Sequence, residues 1–86
     1  RDIDPKAPVH ILVIPKKHIK SINDLESSDK YLAGELILAS KKIAKDQGID
    51  SKGFRTIFNT NDDGGQTVYH IHMHIMGGRQ MKWPPG

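Results

Sequence analysis

The alternation of apolar and polar residues predicts three strands. An apolar run, His10–Ile14, ends at Pro15, which suits the end of a strand because proline has no backbone N–H to donate to a neighbouring strand. Alternating residues in Phe54–Asn59 and in Val68–Met76 predict two further strands, and the last of them is followed by a pair of glycines.

One longer segment has a helical period instead. Its apolar residues recur at intervals of four, three and four positions and form a single stripe: Leu32, Leu36, Ala39 and Ile43. Ser27 or Ser28 is predicted to cap the start of this helix, and Gly48 is predicted to end it. The preceding residues 16–26 are predicted to form a loop with one helical turn around Ile22–Leu25. One helix among antiparallel strands predicts an α+β fold.

The composition narrows the class of protein. The 86 residues suit a single domain, 1–86, whose N-terminal part we expect to be missing because RDIDPKAP is neither a signal peptide nor a start with methionine. A net charge of +3 favours a small anionic ligand, but the lysines are too scattered for a nucleic-acid groove. Without cysteine this stretch has no disulfide and no thiolate zinc site, and no apolar run approaches the ~18 residues of a membrane span. We expect an intracellular protein of the cytoplasm, or of the nucleus as well.

Three of the five histidines alternate along the last predicted strand: His70, His72 and His74. The residues between and after them are apolar: Ile71, Met73 and Ile75. Successive side chains of a strand point to opposite faces, so the imidazoles are expected to share one face while the apolar face packs under the helix.

This row of imidazoles has three interpretations. It could be the polar side of a half-exposed strand, or a zinc site with a further ligand such as His10, although alternate strand residues lie about 6.6 Å apart and three imidazoles converge poorly on one ion. It could also be a phosphate site. The glycine-bearing loop Asp63–Thr67 would then direct backbone N–H groups at the anion, with the Thr67 hydroxyl and the Asn59 amide as further donors. The residues alone favour phosphate chemistry, then metal binding, then the polar face.

The motifs resemble those of a known superfamily. HIHMHIM fits the His-x-His-x-His-x-x signature, with apolar x, of the histidine-triad (HIT) proteins. The stretches DIDPKAPVHILVIPKKHI and DGGQTVYHIHMHIMGGRQM, and the ending WPPG, resemble the Hint branch, the purine nucleoside phosphoramidases. The resemblance covers essentially the whole chain.

The resemblance implies a HIT fold, in which an antiparallel sheet with one long helix continues into the sheet of a second copy as a homodimer. It implies hydrolysis of adenosine or guanosine 5′-phosphoramidates to the nucleoside monophosphate and an amine, without metal or cofactor. The catalytic residues would be the nucleophile and nucleotidyl carrier His72, with His74, His70, His10 and Thr67. The substrate-binding residues would be Asp2 and Ile3 at the ribose, Asn59, Gly65, Gln66, Thr67, His72 and His74 at the phosphate, and Trp83 near the neighbouring subunit's site.

The expected reaction requires a backbone hydrogen-bond acceptor beside the nucleophile. A carbonyl at or near His70 should accept the Nδ1–H of His72, which would fix its tautomer and leave the Nε2 lone pair to attack phosphorus. Two other functions remain open, a nucleotide-binding or scaffold protein without turnover and a dinucleoside polyphosphate hydrolase of the same superfamily. Thr67 stands where the Hint branch more commonly has serine, which retains the hydroxyl and adds a methyl group.

Overall fold

The structure, a computed structural model, describes residues 8–86. Three strands and one long helix make up its regular part: Val9–Val13 (β1), Lys30–Asp46 (α1), Phe54–Ile57 (β2) and Met73–Gly77 (β3). Two short 3-10 turns, Ile22–Asp24 and Ser27–Asp29, lie between β1 and α1. The predicted α+β architecture is confirmed, and so is the helical turn predicted around residue 22.

The three strands form one antiparallel sheet with β3 in the centre, in the order β1-β3-β2. Leu12 of β1 and Ile57 of β2 both lie opposite His74 of β3. Directly opposite residues share a face of a sheet, so these three side chains mark one face, and the neighbouring residues along each strand mark the other.

The second face of the sheet packs against α1. The buried centre of this core consists of Ala44, Ile49, Met73 and Ile75, with Val9, Val13, Ile43 and Phe58 packed around it. The predicted stripe of α1 also faces inward, with Leu36 buried and Leu32, Ala39 and Ile43 half-buried. Burial of these side chains is the dominant favourable contribution to folding. It also determines which face of β3 is left available for a functional site.

The start of α1 differs from the prediction, because neither Ser27 nor Ser28 caps the helix. Both lie in a 3-10 turn, which Asp29 closes by accepting the backbone N–H of Glu26 at 2.9 Å. The Asp29 carboxylate is buried and also accepts a hydrogen bond from the ammonium of Lys17. The Lys17 hydrogen bond, helped by the Glu26 N–H, lowers the pKa of Asp29 below its ordinary value.

The end of α1 agrees with the prediction. Gly48 has a φ of +72°, a left-handed conformation that glycine adopts without steric cost. The chain then turns back so that the N–H of Ile49 donates to the carbonyl of Ala44 at 2.9 Å.

The bounds of the strands differ from their predictions. β1 is shifted one residue towards the N-terminus, and β2 ends at Ile57 instead of Asn59. β3 begins at Met73 instead of Val68, because the residues before it bond to the loop after β1. The N–H of Ile71 donates to the carbonyl of Ile19 at 2.6 Å, outside the sheet.

Among residues 8–86, no helix is both long and apolar enough to cross a membrane.

Candidate active site

The predicted row of imidazoles exists, although β3 contains only its last member. Ile71, Met73 and Ile75 are at most 3% exposed, whereas the histidines between them are half-buried. The alternation used in the prediction is therefore confirmed. The regular strand is shorter than predicted, and His70 and His72 precede it.

The backbone fixes the tautomer of His72. Its Nδ1 lies 2.8 Å from the carbonyl oxygen of His70. A carbonyl oxygen can only accept, so the proton is on Nδ1 and the Nε2 atom of the neutral ring keeps its lone pair. This is the hydrogen bond that the sequence predicted, and it prepares Nε2 of His72 to act as a nucleophile.

Two further imidazoles line up beside His72. The ring centroids of His72 and His74 are 5.0 Å apart, and those of His74 and His10 are 5.1 Å apart. The Nε2 of His10 lies 2.9 Å from the Nδ1 of His74, so one of these nitrogens donates and the other accepts. The structure thus brings together three of the predicted catalytic residues in one line on the sheet face opposite the core.

The imidazole of His70, one of the predicted catalytic residues, contacts the loop after β1. Its Nε2 donates to the carbonyl of Pro15 at 2.8 Å, and its ring contacts His18 edge-on at a centroid distance of 4.9 Å. The backbone carbonyl of His70, not its side chain, contacts His72. Because the rings of His70 and His18 form this separate pair, His18 is a neighbour of the site that the sequence pattern missed. Its position outside the alternating row gave no signal.

Two backbone N–H groups of the glycine loop, those of Gly65 and Gln66, have partners inside the loop. The N–H of Gly65 donates to the carbonyl of Asp62, and the N–H of Gln66 donates to the carbonyl of Asn61, both at 3.0 Å. These bonds close the turn on itself. Phosphate binding by Gly65 and Gln66 stays a prediction.

The turn requires glycine at positions 64 and 65 for two different structural reasons. A Cβ atom at Gly64 would lie 2.3 Å from the carbonyl oxygen of Thr60, so no side chain fits there. Gly65 has open space around it and a φ of +75°.

Close to this turn, burial raises the pKa of the Tyr69 phenol, and the nearby Asp62 carboxylate raises it further.

The other predicted donors lie on elements next to the imidazoles. Asn59 lies two residues after the end of β2, whose last residue, Ile57, pairs with His74. Thr67 has an exposed side chain directly after the turn. Within residues 8–86, no hydrogen bond joins either of them to a histidine. The predicted ribose contacts, Asp2 and Ile3, lie outside the described residues.

The C-terminal tail leaves Trp83 82% exposed. The tail is attached to the edge strand β2 by the guanidinium of Arg55, which donates to the carbonyl of Lys82 at 3.0 Å. The Trp83–Pro84 peptide bond is cis. Because Arg55 of β2 holds the carbonyl of Lys82, the exposed indole of the next residue lies close to this edge of the described sheet.

The geometry gives the zinc interpretation little support. Residues 8–86 contain no group of three His, Asp or Glu side chains that could hold a metal ion. His10 and His74 turn their facing nitrogens to each other, and His72 and His70 direct a ring nitrogen to backbone carbonyls. What remains on this face is an Nε2 lone pair beside two other imidazoles, which suits nucleophilic attack on an electrophile such as phosphorus.

Comparison with known proteins identifies a family and several relatives. The HIT domain family matches residues 1–81. An uncharacterized HIT-like protein of Synechococcus elongatus is 50% identical over 86 residues, which are 100% of this chain and 75% of that protein. Among solved structures, a HIT family hydrolase from Legionella pneumophila is 53% identical with a TM-score of 0.96, over 100% of this chain and 77% of that one. A histidine triad nucleotide-binding protein from Candida albicans is 28% identical with a TM-score of 0.73, over 96% and 64% of the two chains.

Proposed function

The chain belongs to the HIT domain family, and from this premise we propose that it is a nucleotide hydrolase with His72 as its nucleophile. The observation that carries the proposal is the hydrogen bond from Nδ1 of His72 to the carbonyl of His70. It leaves the Nε2 lone pair available on a half-buried face lined by His74 and His10. The hydrolase from Legionella, with its TM-score of 0.96, supports the reaction class.

The substrates we propose are purine nucleoside 5′-phosphoramidates. Nε2 of His72 attacks the α-phosphorus, the P–N bond to the amine breaks, and the amine leaves with a proton from a general acid. Water then attacks the phosphorus of the nucleotidyl-imidazole and gives up a proton, which restores the general acid. The new P–N bond breaks, and the nucleoside monophosphate and neutral His72 are released. Imidazole is a good leaving group, so one difficult displacement becomes two easier ones.

The neighbouring donors act where charge develops on the phosphate. We propose that His74, held by His10, contacts a non-bridging oxygen, with the Thr67 hydroxyl and the Asn59 amide as further donors. Removing one donor of this kind from an enzyme lowers turnover by about 10²–10³-fold. The support for Asn59 is its position two residues after Ile57, which pairs with His74.

We also propose that two copies form a homodimer. Both β1 and β2 are edge strands in the described sheet, and an unpaired edge is a template for pairing with another strand. The exposed Trp83 lies beside the β2 edge, because Arg55 attaches the tail there. An indole buries a large apolar area when it docks, so a second copy is a suitable partner for this surface.

The test is to trap the intermediate. Wild-type protein is quenched during turnover of an adenosine phosphoramidate, digested, and analysed by mass spectrometry for an adenylyl group on His72. We expect this adduct in the wild type and neither adduct nor turnover in a folded His72→Ala variant. Wild-type turnover by His72→Ala would refute the nucleophile.

The same protocol separates the two alternatives. A protein that binds AMP without turning over any substrate would be a nucleotide-binding or scaffold protein. The Candida relative is named a nucleotide-binding protein. Preferential turnover of a dinucleoside polyphosphate over the phosphoramidate would identify a dinucleoside polyphosphate hydrolase.

A further inference from the structure

The side chain of Gln66 is buried although the turn before it is exposed. It is 6% exposed, and each of its polar groups has a backbone partner. Its Oε1 accepts the N–H of Asn61 at 2.9 Å, and its Nε2 donates to the carbonyls of Lys20 at 2.7 Å and Val68 at 3.1 Å. Because an amide has one acceptor oxygen and two N–H donors, these three bonds fix its orientation.

These bonds join three segments of the chain. Asn61 belongs to the glycine turn, Lys20 to the loop after β1, and Val68 to the segment that leads to His72. The same loop holds that segment again where Ile71 donates to Ile19. Gln66 is the contact nearest to the turn.

Thr67 lies between two points that Gln66 holds. On one side, the backbone N–H of Gln66 donates to the carbonyl of Asn61 at 3.0 Å. On the other side, the Gln66 side chain binds the carbonyl of Val68. The backbone of Thr67 is therefore restrained before and after it, while its own side chain is exposed and available for a ligand.

We propose that Gln66 is a positioning residue for the reaction, and that it acts through Thr67. This inference rests on the proposed function, in which the Thr67 hydroxyl contacts the phosphate. Gln66 touches no substrate in this scheme, because its three polar contacts are to backbone atoms of the protein. A displacement of about 1 Å in a reacting geometry can lower the rate by up to 10²-fold. A buried amide that fixes the backbone at Thr67 can therefore affect the rate without touching the substrate.

The test is a double-mutant cycle between positions 66 and 67. Gln66→Glu keeps the shape and the acceptor for Asn61 but replaces the two N–H donors with an oxygen facing two carbonyls. We expect a fall in kcat of about tenfold with a smaller change in KM. In a Thr67→Val background the same change should have less than about a threefold effect, because coupled residues are not additive. The matched control is Gln80→Glu, at an exposed glutamine whose side chain donates to the carbonyl of Met81, and this variant should retain wild-type kcat.

Each outcome decides between positioning and plain stability. Equal fold-losses of kcat in the two backgrounds, or an unchanged kcat in Gln66→Glu, would overturn the inference. If Gln66→Glu does not fold, the cycle is run with Gln66→Met, which removes all three hydrogen bonds with an apolar side chain of similar length.

A failure of the proposed function is distinguishable from a failure of this inference. If the wild type binds AMP but turns over no phosphoramidate, the proposed reaction is wrong. The cycle is then measured on AMP affinity by calorimetry. A loss of affinity that depends on Thr67 still supports the positioning role, and additive losses overturn it.

Discussion

The Nε2 atom of His10 and the Nδ1 atom of His74 lie 2.9 Å apart, which joins the outer strand β1 to the imidazole beside the nucleophile. This bond couples the tautomers of the two rings, because one of the facing nitrogens must donate and the other accept, and it holds the His74 ring in place. The imidazole next to His72 is His74. His10 therefore belongs to the site through its hydrogen bond to His74.

The first prediction concerns this pair. His10→Phe retains a planar ring but removes the nitrogen that faces His74, and we expect kcat to fall by about 10–100-fold, as for other residues that orient a catalytic ligand. His10→Gln places an amide nitrogen close to the former Nε2 and should recover part of that loss. Steady-state kinetics on an adenosine phosphoramidate measure both variants. If the two variants have equal kcat, the hydrogen bond is unimportant.

The second prediction is that Thr67 acts through its hydroxyl. Thr67→Ser should hold or raise turnover, because it retains the hydroxyl and removes a methyl group. Thr67→Val keeps the shape but loses the donor, and turnover should fall by about 10²-fold. The two variants are matched controls for each other. Wild-type kcat in Thr67→Val would show that the side chain only fills space.

The third prediction is that activity does not depend on a metal ion. Protein treated with EDTA and then desalted should keep its full turnover, because one ring nitrogen of each of His10, His70, His72 and His74 bonds to another imidazole or to a carbonyl. Residues 8–86 also contain no group of three side chains that could hold a metal ion. Elemental analysis of the treated sample provides the check that metal has been removed. Loss of activity that zinc restores would favour the zinc interpretation instead.

The fourth prediction follows from the lowered pKa of Asp29. A carboxyl group with a lowered pKa in the folded state adds stability that is fully present above its unfolded pKa, about 3.9, and is lost as the pH falls through the folded pKa. Lys17→Met removes the main cause of that shift. We expect its thermal midpoint to lie below that of the wild type at pH 7 and to approach it in acid.

The control for this experiment is Lys16→Met, which removes the same charge from an exposed neighbour. It should have a wild-type midpoint across the same pH series. A gap between wild type and Lys17→Met that stays constant into acid would contradict the ion pair as its cause.

The fifth prediction concerns the homodimer and the tail. Light scattering should give twice the mass of the chain. Truncation after Met81 removes Trp83 and should change the ranking of amine leaving groups, with Trp83→Ala showing the same direction. A fully active monomer would refute the dimer, and an unchanged ranking would refute the role of the tail.

Much of the site could be predicted from the sequence because its signals are local. The period of two along residues 70–76 identified the imidazole and apolar faces, and the burial of Met73 and Ile75 agrees. The carbonyl partner of His72 is only two residues away in the sequence, so a local argument was enough to predict it. The stripe of α1 and its end at Gly48 are also local patterns.

The remaining features depend on contacts between distant parts of the chain. The strand β3 begins late because Ile71 bonds to Ile19 instead of to a strand, and no pattern near residue 71 indicates that partner. The N–H of Gly65 is consumed inside its own turn, which a glycine pair does not reveal. The ring of His18 contacts that of His70 only because the loop after β1 packs against the segment of residues 70–74.

The partner of the His72 imidazole is a main-chain oxygen, and this has a consequence for how the protein can change over evolutionary time. A side-chain partner can be deleted by one codon change, whereas every amino acid at position 70 brings the same carbonyl. The reactive tautomer is thus protected from mutation at position 70 as long as the chain keeps its path there. Substitutions that bend this path elsewhere are the genetic route by which the nucleophile would lose its orientation.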